Sequence, residues 1–94
     1  MKGLPSKEAL ESVHNFPCPY TFKIFGAGGS TVAQDAVSAV SRTLKVDKAL
    51  PHTSRKSSGG KHVCVTMTVE VGSADEVHAV YHALVAVSTV TFLM

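Results

Sequence analysis

The sequence predicts one small α+β domain whose strands and helices follow the order βαββαβ. Three observations carry this prediction: segments that alternate apolar and polar residues, segments that repeat apolar residues every three or four positions, and glycine-rich breakers between them. With right-handed crossovers, this order gives a four-stranded antiparallel sheet with two helices on one face, the ferredoxin-like arrangement. A chain of 94 residues is the right length for one such domain.

The N-terminal segment, residues 1–18, shows no sustained period and is interrupted by Pro5 and Pro17. Its apolar residues are spaced for one short helical turn at most. We therefore expect an N-terminal arm, partly flexible, followed by a single domain over residues 19–94.

The first strand and first helix occupy the next stretch of chain. Tyr20, Phe22 and Ile24 alternate with polar neighbours, which predicts a strand that stops at Gly26. After the glycine-rich segment 26–30, Ser30 or Thr31 is expected to cap a helix. One buried stripe is predicted along that helix, formed by Val32, Ala33, Ala36, Val37, Val40 and Leu44.

The second half repeats the pattern. Residues 50–56 form a weak strand that Pro51 confines to an edge, and residues 57–60 form a turn. Residues 63–71 alternate most clearly, with valines and Met67 on one face. Ser73 and Glu76 have the spacing of a capping box, which opens a second helix. That helix is expected to bury Val77, Val80, Tyr81, Leu84 and Val87.

The last strand is predicted over residues 89–94, with Val90, Phe92 and Met94 on the core side. Thr91 and Leu93 then fall on the open face of the sheet. The resulting core is Phe22, Ile24, Val37, Val40, Val65, Met67, Val69, Val80, Leu84 and Phe92.

Composition excludes several classes of protein. The net charge of +2 is too small to indicate nucleic-acid binding, and no apolar run approaches the ~20 residues of a membrane span. RNA-recognition modules of the same element order stack bases on exposed aromatic rings, but the open face of the third strand (residues 64–70) has none. The start of the chain lacks the apolar stretch of a secretory signal, so two cysteines favour a cytoplasmic protein.

Two motifs resemble those of a known family. The segment 16–23 (FPCPYTFK) is followed by Gly26, and the segment 56–63 (KSSGGKHV) leads into an alternating strand. Together they resemble the YbeD-like family of small bacterial proteins, and the resemblance runs from about Phe16 to Met94. It implies a ferredoxin-like fold similar to that of the regulatory ACT domains, and a proposed regulatory link to lipoate metabolism. It implies no active site.

No residue pattern points to catalysis, a metal or another cofactor. His78 and His82 have the helical spacing of a metal pair, but the sequence offers neither the intervening glutamate nor a third ligand. Cys18 and Cys64 are predicted at opposite ends of the sheet, too far apart for a disulfide. The loop after the first strand lacks the arginine of an acylphosphatase. We therefore expect a protein that is not an enzyme.

An anion site is predicted where the first strand ends. The topology brings the loop of Gly28, Gly29 and Ser30 to the same end of the sheet as the turn after the second strand. Glycine amides and a helix N-terminus favour an anion, and basic side chains opposite them would supply the countercharge. Those basic residues are Arg55, Lys56 and Lys61, with His62 beside them. The alternative is that the glycines only make the turn and the basic residues keep the hairpin soluble.

An interaction surface is predicted on the open face of the sheet, where Phe25 and Leu93 lie among threonines. We therefore expect a non-catalytic regulatory or ligand-sensing module that binds a small anion and acts as a homodimer or on a partner enzyme. The alternative is a protein-interaction adaptor that binds no small ligand.

Overall fold

The computed structural model describes residues 5–46 and 50–94. In chain order its elements are α1 (Lys7–Val13), β1 (Cys18–Ala27), α2 (Val32–Leu44), β2 (His52–Lys56), β3 (His62–Val71), α3 (Ala74–Val85) and β4 (Val90–Leu93). The four strands form one sheet in the order β2-β3-β1-β4, and every neighbouring pair is antiparallel. The predicted α+β class, the antiparallel sheet and the central pairing of the first and third strands are therefore confirmed.

The core lies between the sheet and the helices. Alternate residues of β1 and β3, including Phe22 and Met67, point inward and are fully buried. They join the apolar residues of α2 and α3 in one continuous cluster. Eight of the ten predicted core residues are buried, whereas Val37 only borders the cluster and Phe92 is exposed. Burying such alternating faces is the main favourable contribution to folding.

The two long helices begin differently. α3 opens close to the predicted capping box: Ser73 Oγ accepts from the Glu76 N–H at 3.2 Å, but Glu76 Oε1 accepts at 2.7 Å from the N–H of Gly72, the residue before the N-cap. The N-cap of α2 is Thr31, but its hydroxyl donates to Asp35 Oδ2 at 2.8 Å instead of capping the helix. α2 ends at Leu44, and its C-cap residue, Lys45, adopts the left-handed conformation common at helix C-termini.

The N-terminal arm is more structured than predicted. Residues 7–13 form α1, which Ser6 caps and which packs on α3 with Leu10 buried. Lys7 Nζ lies 2.5 Å from Asp75 Oδ1, and the ring of His78 contacts the Pro5 carbonyl at 2.5 Å. The prediction of two helices and at most one N-terminal turn is therefore wrong, because these tertiary contacts stabilise a helix too short to show a period. Residues 1–4 of the predicted arm lie outside the described residues.

β2 is an edge strand, as Pro51 indicated, and all five of its residues are exposed. It joins β3 through a tight turn in which Gly59 and Gly60 have positive φ angles. No helix within residues 5–46 and 50–94 has the length and apolarity to cross a membrane.

Candidate functional site

One row of side chains crosses all four strands on the open face of the sheet. Arg55 of β2 pairs with Cys64 of β3, Cys64 pairs with Phe25 of β1, and Phe25 pairs with Phe92 of β4. Residues directly opposite in an antiparallel sheet lie on the same face. A guanidinium therefore stands at one end of this row, and two aromatic rings, whose centroids are 5.8 Å apart, stand at the other.

A shallow, open depression of about 160 Å³ lies at the Arg55 end of the row. Its lining is mostly apolar and comes from Phe25, Val63 and Cys64, together with parts of the basic hairpin. Arg55, Lys56, Ser57 and His62 form the remaining wall. The depression is smaller than the ~300–1,000 Å³ that ligand sites commonly enclose, so it could hold only a small ligand or part of a larger one.

The depression is electrostatically positive. No acidic residue occurs between positions 50 and 69, and the one ion pair among the described residues joins Lys7 and Asp75 at the other end of the protein. Within residues 5–46 and 50–94, neither Arg55 nor Lys56 forms an ion pair. A second depression on the same face, lined by Pro51, His52, Thr53, Thr66 and Thr68, contains no lysine or arginine.

The predicted anion-site residues divide into two groups. Gly28 and Lys61 do come together, since the Gly28 N–H donates to the Lys61 carbonyl at 2.8 Å. The Ser30 N–H and hydroxyl both donate to the Ala27 carbonyl, at 3.2 and 2.6 Å. Two of the three amides in this glycine loop are thus occupied within the protein. Arg55 and Lys56 instead line the depression, to which Gly28, Gly29, Ser30 and Lys61 do not contribute.

The predicted interaction surface requires a correction on β4. Leu93 is buried, whereas Phe92 and Met94 are 57% and 64% exposed. The register of β4 against β1 shifts between Phe25 and Gly26, where a β-bulge places an extra residue in β4. A shift of one residue turns every side chain of a strand to the opposite face. The choice of Leu93 for the surface and Phe92 for the core is therefore wrong.

The corrected surface is an apolar patch of Phe25, Phe92 and Met94 on the open face. Phe92 and Met94 lie two residues apart along β4 and so project from the same side of the sheet. Phe25 alone comes from a central strand, since β3 contributes Cys64 and threonines to this face. The sequence signal for Phe92 was present, but the alternation of residues 90–94 fits both registers.

The cysteines and the histidine pair lie apart from this site. Cys18 is opposite Val71 and Cys64 is opposite Phe25, so the two free thiols are at opposite ends of the sheet, as predicted. His78 contacts a backbone carbonyl, and its ring centroid is 6.4 Å from that of His82. Within residues 5–46 and 50–94, no three histidine, cysteine or acidic side chains converge to hold a metal ion.

An aromatic cluster that the sequence did not reveal joins β1 to α3. The Tyr20 and Tyr81 hydroxyls are 3.1 Å apart, and the Phe22 ring packs edge-on against Tyr81. Burial, together with the hydrogen bond to Tyr20, raises the pKa of the Tyr81 phenol. In the first turn of α2, the hydroxyls of Thr89 and Thr31 lower the pKa of the Asp35 carboxyl by donating hydrogen bonds to it. The Tyr20–Tyr81 pair and the Asp35 carboxyl with its two threonines support the fold and lie outside the depression.

Fold and site together define a small α+β protein with a basic, partly apolar depression on an open antiparallel sheet. Residues 11–94 match the family described as a protein of unknown function, DUF493. The chain belongs to this family, as the YbeD-like motifs indicated.

Curated relatives of the chain carry UPF0250 names. The protein of Shewanella sediminis is 34% identical over 81 residues, which are 86% of this chain and 90% of the relative. The protein of Paraburkholderia phytofirmans is 35% identical over 75 residues, which are 79% of this chain and 83% of that relative. The solution structure of protein HP0495 from H. pylori is similar in fold, with a TM-score of 0.66 at 12% identity over 99% of this chain and 98% of that one.

Proposed function

We propose that this protein is a non-catalytic sensing module that binds a small organic anion in the depression beside Arg55. The observation that carries the proposal is the pairing of an apolar floor with Arg55, next to Lys56, in a depression whose lining residues include no acid. The ligand class that fits is a carboxylate attached to an apolar body. Because the sheet edge is open there, a partner enzyme could contact a ligand bound in the depression.

The chemistry of the wall favours a carboxylate. A guanidinium binds a carboxylate through two parallel hydrogen bonds, and it remains charged at any physiological pH. Phe25 and Cys64 would contact the apolar part of the ligand. Burying apolar surface contributes ~25 cal/mol per Å², so a ligand with several methylene groups should bind more tightly than inorganic phosphate.

Two observations support a non-catalytic role. Among the described residues, no hydrogen bond links a serine, threonine or cysteine side chain to a histidine ring, as a nucleophile and its general base would require. The wall of the depression contains no carboxylate that could act as a base, and its one imidazole, that of His62, has no side-chain hydrogen-bond partner among the described residues. We extend the proposal to a cytoplasmic location, in keeping with the two free thiols.

Lipoate is the first ligand to test, because the family resemblance implies a link to lipoate metabolism and lipoate is an apolar carboxylate. Titration with lipoate, inorganic phosphate and common amino acids, followed by backbone amide NMR shifts, would map any binding. We expect lipoate to shift the amides of Phe25, Arg55, His62 and Cys64 at millimolar concentration. Unshifted amides at these positions would contradict the proposal for these anions.

The matched variants are Arg55→Gln and Arg42→Gln. Arg55 lines the depression, whereas Arg42 is an exposed residue near the end of α2. Arg55→Gln should weaken binding about tenfold, the loss of roughly one charge-assisted hydrogen bond, and Arg42→Gln should leave it unchanged. Equal effects of the two substitutions would indicate attraction to net charge instead of a site.

A protein-interaction adaptor remains the second candidate, and the exposed apolar patch of Phe25, Phe92 and Met94 favours it. Hydrophobic surface of this kind is typical of interaction sites. Thermal melts separate the two functions, because a bound small ligand raises the melting temperature through linkage and an adaptor shows no such shift. Substitution of Phe92 would then impair partner binding while leaving ligand binding unchanged.

A further inference from the structure

The two outer strands of the sheet differ sharply in how they meet solvent. β2 presents His52, Arg55 and Lys56, and charges of this kind protect an edge from pairing with another strand. β4 has the sequence Val-Thr-Phe-Leu and ends beside Met94, so it has neither a charge nor a proline. β4 is therefore the unprotected edge of this sheet.

Among the described residues, none forms a backbone hydrogen bond with the outer side of β4 at Leu93. Lys23 and Met94 exchange both hydrogen bonds across the β1–β4 pair, at 2.9 and 3.3 Å. In an antiparallel ladder, residues alternate between pointing their N–H and C=O groups toward the partner and away from it. The N–H and C=O of Leu93 consequently point outward, away from β1.

The side chains of this edge are also unusually apolar for an exposed position. Phe92 and Met94 expose more than half of their surface on the open face, and Phe25 extends the patch inward along the sheet. An edge that lacks charge and carries its apolar residues on one face is suited to pairing with a strand of the same character. The described part of this chain provides one such strand, β4 itself.

We infer that β4 pairs antiparallel with β4 of a second copy, about a two-fold axis at Phe92. This register aligns residues 90–94 of one copy with residues 94–90 of the other. It joins the two sheets into one of eight strands, and it places the two Phe92 rings directly opposite each other. The same operation applied to β2 would place Arg55 and Lys56 of the two copies close together, and their charges would repel.

The contact is small, because it involves one short strand and a few side chains from each copy. Stable interfaces usually bury at least ~1,200 Å² in total. We therefore expect a reversible dimer whose population depends on concentration. The depression at Arg55 lies beside β2, at the opposite edge of the sheet from β4, so the dimer leaves it open.

The test is the mass of the protein in solution from about 10 μM to about 1 mM, a range that covers weak association. The mass should rise from the 9.9 kDa of the monomer toward twice that value. Phe92→Glu should abolish the rise, because it places a carboxylate directly opposite its own copy. The matched control is Thr53→Glu, an exposed open-face position on β2, which should leave association unchanged.

Hydrogen exchange at the Leu93 amide provides a second measurement. Its protection should increase with concentration in the unmodified protein and remain constant in the Phe92→Glu variant. A constant monomer mass over the whole range would overturn the inference. So would a dimer that survives Phe92→Glu, or one that Thr53→Glu disrupts equally.

Discussion

The N–H of Gly28 donates a hydrogen bond of 2.8 Å to the carbonyl of Lys61, which fixes the loop after β1 against the β2–β3 turn. A Cβ atom at Gly28 would lie 1.8 Å from the Gly60 carbonyl oxygen. No side chain larger than hydrogen fits there unless the two loops separate and this bond is lost. The close approach of two backbones explains the glycine, independently of any bound anion.

Substitution of Gly28 should therefore be costly. We expect Gly28→Ala to lower the free energy of unfolding by about 1–3 kcal/mol in urea denaturation, through the clash and the lost hydrogen bond. Gly72→Ala is the matched control, because its Cβ would make an ordinary contact at 3.4 Å with Glu76. It should change the stability by less than about 0.5 kcal/mol. A neutral Gly28→Ala would mean that the two loops are not in contact.

The register of β4 gives a second prediction. Leu93→Ala should lower the free energy of unfolding by about 2–4 kcal/mol, because it leaves a cavity in the core. Phe92→Ala should cost less than about 1 kcal/mol, since the ring is more than half exposed. Urea denaturation at low protein concentration measures both without interference from association. If Phe92→Ala instead lowered the free energy of unfolding more than Leu93→Ala, Phe92 would lie in the core, as simple alternation predicts.

Asp35 gives a prediction about acid stability. The hydroxyls of Thr89 and Thr31 donate to its charged form, so its pKa in the folded protein lies below the ordinary 3.8. A lowered pKa stabilises the folded state above the ordinary value, and this contribution disappears as the pH falls through the folded pKa. Asp35→Asn should therefore be less stable than the unmodified protein at neutral pH, and the difference should shrink below about pH 4. Urea denaturation at several pH values measures it, and a difference independent of pH would contradict this assignment.

The raised pKa of Tyr81 gives a prediction about stability at high pH. Burial and the hydrogen bond to Tyr20 raise its pKa above the ordinary 10.0, so folding favours the neutral phenol. The corresponding stability is present below pH 10 and is lost as the pH rises beyond it. In a spectrophotometric titration of phenolate absorbance, Tyr81 should ionise only when the protein unfolds. Tyr81→Phe is the control, since it should remove this late component and weaken the alkaline loss of stability.

Much of the fold could be predicted from the sequence because its signals are local. Alternation over residues 63–71 and the pairing of Ser73 with Glu76 each specify one structure without reference to the rest of the chain. α1 could not be predicted in this way, since it is too short to show a period and packs on α3 through the buried Leu10. The face of β4 depended on a bulge that the pattern of residues 90–94 does not encode.

The candidate site was predictable in part for the same reason. Topology alone brought the loop at Gly28 to the β2–β3 turn, and the structure contains that contact. It could not show that the loop amides are engaged within the protein, nor which side of β2 each basic residue occupies. Those details follow from strand register, which places Arg55 opposite Cys64 and Phe25 in the open-face row.

The complete exposure of β2 has a consequence for the dynamics of the protein. Because every residue of β2 is exposed, separation of residues 52–56 from β3 would break the β2–β3 hydrogen bonds but leave the core closed. Segments of this kind open at a free energy well below that of global unfolding. A molecule held between Arg55 and Phe25 would contact both sides of this opening and lower its frequency. The protein could in this way convert the arrival of a small anion into the ordering of a surface strand.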